Sequence, residues 1–243
     1  MLEYDQRRNL FIGKTEDEAL LFAVDHWVNT ARKAIQQRGK FFVALSGGST
    51  PIAIYQRLSK VRDLDWNQVF LFWSDERAVP PDHPESNYGN AMKFFSTLPI
   101  PEHQIFRMKA EVDLEKNALD YEEKIRHYTG KHLFDHVMLG IGEDGHTASL
   151  FPNTQAISIT DRLVVANHVP QKNTDRMTFT FPCINESANI TIYALGKSKQ
   201  EVIPKILKAP IVSEYPASKI GTPQSPALWV LDDISSRNLS FVE

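Results

Sequence analysis

Phe41-Phe42-Val43-Ala44-Leu45-Ser46-Gly47-Gly48-Ser49-Thr50-Pro51 decides the architecture. The apolar run Phe41–Leu45 reads as a strand buried on both faces, the kind found in a parallel sheet. The following Ser-Gly-Gly-Ser-Thr-Pro then turns the chain into a helix. Its glycines let the backbone approach a ligand closely, Ser49 or Thr50 is a candidate cap, and Pro51 suits the start of the helix. Free backbone N–H groups at a helix start attract an anion such as phosphate. The glycine spacing of a dinucleotide fingerprint and the Gly-Lys pair of a Walker A loop are both missing. The local pattern leaves a ligand-free tight turn open, although such turns often sit at the ligand-binding carboxyl edge of a sheet.

The same alternation recurs outward from this stretch. Val69–Trp73, residues 134–139, 162–166 and 178–181, Ile190–Ala194 and residues 227–231 read as strands. Thr15-Glu16-Asp17-Glu18 is a capping box. Behind it Leu20, Ala23, Val24, Trp27, Val28, Ala31 and Ile35 share one helical face, and Gly39 stops the helix. Leu114, Ala118, Tyr121, Ile125 and Tyr128 mark another amphipathic helix. Ser198-Lys199-Gln200-Glu201 reads as a capping box before a helix through Leu207, which Pro204 must kink or shorten. The proline-rich stretch from Pro210 to Pro226 reads as an ordered surface crossing. Strands alternating with helices predict an α/β fold: a mostly parallel sheet flanked by helices. No repeat or linker interrupts it, so residues 1–243 are expected to form a single domain.

The chain has 243 residues, 42% hydrophobic and 23% charged, enough apolar content to bury a core without disulfides or metals. A net charge of -3 supplies no basic field for nucleic acid, so an acidic small molecule would need a local Arg and Lys cluster. Cys183 is the lone cysteine; in Phe181-Pro182-Cys183-Ile184 it reads as a buried thiol rather than a nucleophile. Its isolation points to a reducing compartment, the cytoplasm. The charged start Met1-Leu2-Glu3-Tyr4-Asp5-Gln6-Arg7-Arg8 lacks the apolar core of a signal peptide. No apolar run approaches membrane-spanning length, so no membrane partner is expected. A monomer or small homo-oligomer is expected.

Two further loops carry chemistry. Trp73-Ser74-Asp75-Glu76-Arg77 leaves a buried strand. Arg77 offers a planar fork for phosphate or carboxylate, and Asp75 could orient it or a substrate hydroxyl. On pattern alone a solvated loop with a weak ion pair is favoured. His83, Asn87 and Tyr88 follow, with His83 beside Pro84 read as a loop residue rather than a catalyst. Gly140-Ile141-Gly142-Glu143-Asp144-Gly145-His146 also follows a strand. A neutral imidazole can take a proton from water near neutral pH, so His146 is a candidate general base, with Asp144 to fix its tautomer. Asp-x-His could instead ligate a metal, but metal sites need several convergent ligands and no second cluster is evident. A merely structural loop also stays open. Ser149 lacks the Gly-x-Ser-x-Gly elbow of a serine nucleophile.

Taken together, Ser-Gly-Gly-Ser-Thr-Pro at 46–51, Ser-Asp-Glu-Arg at 74–77 with Ser86-Asn87-Tyr88, and Gly-Glu-Asp-Gly-His-Thr-Ala-Ser-Leu-Phe-Pro at 142–152 resemble the 6-phosphogluconolactonase family in order and spacing. The resemblance implies a Rossmann-like fold shared with glucosamine-6-phosphate deaminase-isomerases. It also implies hydrolysis of 6-phospho-D-glucono-1,5-lactone to 6-phosphogluconate in the oxidative pentose phosphate pathway, with no cofactor and no metal. It makes His146 the catalytic histidine. Gly47, Gly48, Ser49, Thr50, Arg77 and Asn87 become substrate-holding elements, and Arg176 and Lys197 additional basic contacts. Two rival readings stay open: a deaminase-isomerase, and a sugar-phosphate-binding regulator without turnover. The isomerase loop continues Asp-Gly-His-Ile-Ala-Phe-Asn-Glu-Pro, whereas here Thr147-Ala148-Ser149-Leu150-Phe151-Pro152 lacks that carboxylate.

Overall fold

The computed structural model describes residues 1–130, 132–211 and 214–239. The strands are β1 (Leu2–Asp5), β2 (Arg8–Gly13), β3 (Phe41–Leu45), β4 (Val69–Trp73), β5 (Asp75–Arg77), β6 (His136–Gly140), β7 (Val164–Val169), β8 (Thr174–Phe179), β9 (Ile190–Ala194) and β10 (Ala227–Asp232). The helices are α1 (Glu16–Arg38), α2 (Ser49–Leu58), α3 (Asn87–Phe95), α4 (Leu114–Tyr128), α5 (Phe181–Asn185), α6 (Val202–Lys208) and α7 (Asp233–Ser236). A seven-stranded sheet runs β1-β2-β10-β9-β6-β3-β4, and a separate three-stranded sheet runs β5-β8-β7. The large sheet is parallel except for β1, and the small one is antiparallel.

Alternation along the strands explains why the large sheet is covered on both faces. Val43, Leu45, Leu71, Trp73 and Val230 pack with Trp27 of α1, Tyr55 of α2 and Phe95 of α3. Their neighbours Ala44, Phe72, Val137 and Trp229 face Tyr121 of α4, Cys183 of α5 and Ile206 of α6. Cys183 is fully buried, and burial pushes its thiol well up from the ordinary value, away from nucleophilic use. Among the described residues, no helix is long and apolar enough to cross a membrane.

Several expectations needed correction. β1 lies in the charged start and β2 begins at its last residue, Arg8, and neither was expected as a strand. Arg8 can enter β2 because its Nε donates to Asp5 Oδ2 at 2.8 Å and its Nη1 to the Ile206 carbonyl at 3.3 Å. The strand expected at 178–181 ends at Phe179, because Thr180 caps α5 and Phe181 is already helical. The capping box expected at Ser198 does not form. Residues 197–199 make a 3-10 turn, and α6 begins only at Val202 without a side-chain cap. Pro204 thereby falls in the first turn, where its missing N–H costs no hydrogen bond; the proline shortens the helix rather than kinking it. Of the crossing expected from Pro210 to Pro226, residues 212 and 213 lie outside the described residues. Ala217, Ser218 and Ile220 are buried rather than on the surface.

Beneath the sheet, at the start of β6, His136 is fully buried and its Nε2 lies 3.0 Å from Thr191 Oγ1. His26 of α1 meets it edge-on at 5.4 Å. Burial, and the neighbouring His26, hold the His136 imidazole well below its ordinary value; burial lowers His26 as well. Both rings therefore hold a proton less readily in the folded chain than an unfolded histidine, which takes one at about pH 6.5. Their stability is complete above that value and is lost as the pH falls toward the folded values. Denaturant midpoints should drop from about pH 6.5 to about pH 5 in the wild type and less steeply in His136→Gln. Equal slopes would contradict the assignment.

Candidate active site

Parallel pairing in the order β9-β6-β3-β4 brings the carboxyl ends of these strands to one edge. Along that edge lie, in turn, Gly196-Lys197, the loop 141–152, the turn 46–48 and the segment 74–77. The chain leaves β3 through α2 to β4, while β6 flanks β3 on its other side. A crevice at such a reversal of strand order is where open α/β sheets bind ligands.

In the first turn the N-cap of α2 is Gly48, with φ +106, and no side chain caps it. Ser49 is the first helical residue, so neither Ser49 nor Thr50 takes the capping position expected of it. The helix start is left without a side-chain acceptor for its first backbone donors, an arrangement that favours an anion. Tyr55 locks the turn from below: its hydroxyl accepts from Ser46 N at 3.0 Å and donates to the Ser46 carbonyl at 2.7 Å. Gly47 is required sterically, because a Cβ there would stand 1.9 Å from Asn87 Oδ1. A cleft of about 330 Å³ opens between Gly47, Gly48, Ser49, Arg77 and Asn87. His146 does not line this cleft; it stands on the neighbouring loop.

Segment 74–77 is fixed by carboxylates. Glu76, buried, accepts from Ser86 Oγ at 3.0 Å and from the backbone N–H groups of Asn87, Tyr88 and Arg77 at 2.8 Å each. Burial raises the Glu76 carboxyl, against the pull of these donors. Asp75 is also buried: Oδ2 accepts from Ser149 Oγ at 2.6 Å and Oδ1 from Asn87 Nδ2 at 3.3 Å. Arg77 lies opposite Arg176 in the β5-β8 ladder. Its Nη1 donates to the Glu85 carbonyl at 2.6 Å. The Nε atoms of Arg77 and Arg176 are both buried without a hydrogen-bond partner among the described residues. Burial lowers the Arg176 guanidinium; Asp75 opposes this and Arg77 adds to it. Like charges placed opposite each other repel, and an anion between them would relieve the repulsion and satisfy the free donors.

On the third loop, His146 Nδ1 lies 2.6 Å from Asp144 Oδ1, which also accepts from His146 N at 3.1 Å. With Nδ1–H turned to the carboxylate, Nε2 is left as the proton acceptor. Burial opposes ionisation of Asp144, but the hydrogen bond and charge of His146 outweigh it and hold the carboxyl below its usual value. The imidazole stacks on Phe151 at 3.9 Å. The Arg176 guanidinium lies 5.7 Å from the centroid of the same ring, so His146 and Arg176 share one aromatic platform.

The structure thus gathers Gly47, Gly48, Ser49, Arg77 and Asn87 at the cleft, with Asp75, Arg176, Asp144 and His146 beside it. Thr50 lies in the first turn of α2. Lys197 sits exposed on the same edge, after Gly196 with φ +85. Sequence reasoning missed Glu76 and Ser149 as structural partners, and Tyr215 and Ala217 as a support. Gly145, with φ +77, has no room for a Cβ, which would meet the Tyr215 ring at 2.6 Å, and its carbonyl accepts from Ala217 N at 2.9 Å. Ser86 before Asn87 is the N-cap of α3, its Oγ accepting from Gly89 N and donating to Glu76 Oε2, both at 3.0 Å. Among the described residues, no group of three or more His, Cys, Asp and Glu side chains could hold a metal ion.

Gly142 tests the dyad geometry, since a Cβ there would lie 2.0 Å from His146 Nδ1. Gly142→Ala should keep the fold but displace the imidazole, read as shifted His146 side-chain NMR resonances with the resonances of core residues unchanged. Unmoved His146 resonances would contradict the close packing.

A sequence profile described as glucosamine-6-phosphate isomerases/6-phosphogluconolactonase matches residues 14–229. A 6-phosphogluconolactonase of Chlamydia muridarum is 42% identical over 95% of this chain and 90% of its own length. One from Synechocystis is 39% identical over 85% of this chain and 88% of its own. The crystal structure of a Thermotoga maritima 6-phosphogluconolactonase superposes with a TM-score of 0.80 at 30% identity, covering 92% of this chain and all (100%) of that one. A monomeric glucosamine-6-phosphate deaminase shares the fold at TM-score 0.80 and 23% identity, over 94% of this chain and 99% of that one. With its motifs in place on one sheet edge, the chain belongs to the glucosamine-6-phosphate isomerase/6-phosphogluconolactonase family.

Proposed function

We propose that this chain hydrolyses 6-phospho-D-glucono-1,5-lactone to 6-phosphogluconate. The observation that carries the reading is the Asp144–His146 dyad at 2.6 Å beside the opposed pair Arg77 and Arg176. A phosphorylated lactone needs a grip on its phosphate and a water delivered to its carbonyl. The start of α2 and the arginine pair supply the grip. Binding energy at the phosphate then holds C1 near His146. His146 Nε2 takes a proton from water as the water oxygen attacks C1. The tetrahedral oxyanion collapses, the bond from C1 to the ring oxygen breaks, and the imidazolium returns its proton to that oxygen. The acid product then loses a proton to solvent. Asp144 holds the tautomer and steadies the imidazolium, as a carboxylate on the far ring nitrogen does in other acyl-transfer sites. No acyl-enzyme is needed, because a lactone is already an activated ester.

Phe151 favours this reading over the isomerase. The isomerase loop carries a carboxylate at this position; here an aromatic ring stacks under the base. Release of ammonia from glucosamine 6-phosphate would overturn the choice. The buried, unpaired Cys183 fits work in a reducing compartment, the cytoplasm.

Arg77→Ala and Arg176→Ala test the phosphate grip. Each removes a charged donor from a partly buried anion site, which is worth about 10-fold or more in affinity. KM for the phosphorylated lactone should rise by that factor, while hydrolysis of glucono-1,5-lactone without phosphate stays near the wild-type rate. Equal losses on both substrates would remove the phosphate role.

A further inference from the structure

Ser149 is fully buried, and each of its polar groups reaches a different strand of the small sheet. Its Oγ donates to Asp75 Oδ2 on β5 at 2.6 Å. Its backbone N–H donates to Thr178 Oγ1 on β8 at 3.1 Å. Its carbonyl accepts from Asn167 Nδ2 on β7 at 2.9 Å, an amide that also reaches Thr154 Oγ1 at 3.0 Å. Two residues further along, Phe151 carries the ring on which His146 stacks. The small sheet bears Arg77 and Arg176. Ser149 is therefore where the loop of the base is fastened to the sheet of the arginines.

Asp75 is the other half of this fastening. Its second oxygen accepts from Asn87 Nδ2, and the same amide donates to the Asp75 carbonyl at 2.9 Å. Asn87 in turn abuts Gly47 of the phosphate turn, which leaves no space for a Cβ. One buried carboxylate thus joins the turn after β3, the N-terminus of α3 and the loop after β6. With both oxygens engaged and only 4% of its surface exposed, Asp75 is poorly placed to exchange protons with a ligand.

We propose that Ser149 and Asp75 are a pair of positioning residues: the Ser149–Asp75 hydrogen bond sets His146 at a fixed reach from the arginine pair, and Asp75 acts as an acceptor post rather than as a proton carrier. A fixed reach matters because the carbonyl at C1 and the phosphate on C6 belong to one lactone ring and its side arm, so once the phosphate is held an error of an ångström at the base is felt in the rate. The arginines keep their own backbone ladder, so losing the fastening disturbs the base and leaves the grip. The kinetic readout rests on the lactonase reading; the placement of His146 does not.

The test uses Ser149→Ala, Asp75→Asn and the double variant in the full chain. In Ser149→Ala, kcat for the phosphorylated lactone should fall about 10–100-fold. Binding of 6-phosphogluconate by calorimetry should stay within about 3-fold of wild type, and the His146 side-chain resonances should move. Asp75→Asn keeps an amide oxygen for the Ser149 hydroxyl but turns its NH2 toward the Asn87 NH2, so it should lower kcat as well and keep the wild-type pH profile of kcat. The double variant should be no worse than about the worse single one, as for two residues acting as a unit. Three results would overturn the proposal: a lower Tm with unchanged kcat and unmoved His146 resonances, equal loss of kcat and product affinity in Ser149→Ala, or an Asp75→Asn variant that loses a limb of the pH profile. If the wild type hydrolyses no lactone, the functional reading fails. The His146 resonances of Ser149→Ala then decide the positional claim by themselves.

Discussion

Parallel pairing of β9, β6, β3 and β4 constrains everything at the ligand end of the molecule. Strands that run the same way must end on the same edge, so loops separated by up to a hundred or so positions in sequence become neighbours there. The pairing is held by a sheet buried on both faces, between the Trp27–Tyr55–Phe95 layer and the Tyr121–Cys183–Ile206 layer. A register slip would turn each strand's side chains to the wrong layer, so the same packing that stabilises the sheet also fixes the heights of its loops. Chemistry at the edge inherits its accuracy from that core.

Electrostatics then gives the edge its preference. Two guanidinium groups sit in register with unused buried donors, an arrangement that repels itself when empty. Nearby, the N-terminus of α2 offers backbone donors without a capping side chain. Both features favour a bound anion, and they lie beside a histidine oriented by a carboxylate. Buried Glu76 and Asp75 supply the opposing charge near the arginines, but both are already committed to local donors. They steady the segment, and Asp75 acts on Arg176 against the repulsion from Arg77.

Much of this was legible in the sequence. The uniform apolar runs at Phe41–Leu45 and Val69–Trp73 announced strands buried on both faces, and glycine-rich or charged loops after them marked the functional edge. The illegible parts all depend on partners remote in the chain. β2 opens on the charged Arg8, whose charge Asp5 and the Ile206 carbonyl absorb. The small antiparallel sheet could not be told from the large one, since periodicity reports burial and not the neighbour a strand pairs with. Ser149 looked like an ordinary loop serine; its meaning appears only when β5, β7 and β8 close around it. Tyr215 and Ala217, in a proline-rich stretch that read as surface, turn out to support Gly145 from beneath.

The central claim is that His146 activates water at a phosphorylated lactone held on this edge. The most direct measurement generates 6-phospho-D-glucono-1,5-lactone in situ and follows acid release for wild type and His146→Ala, each against spontaneous ring opening. A general base accounts for about 10²–10⁴ in rate, so the variant should fall to or near the spontaneous background while still binding 6-phosphogluconate. Hydrolysis by His146→Ala at the wild-type kcat would contradict the account.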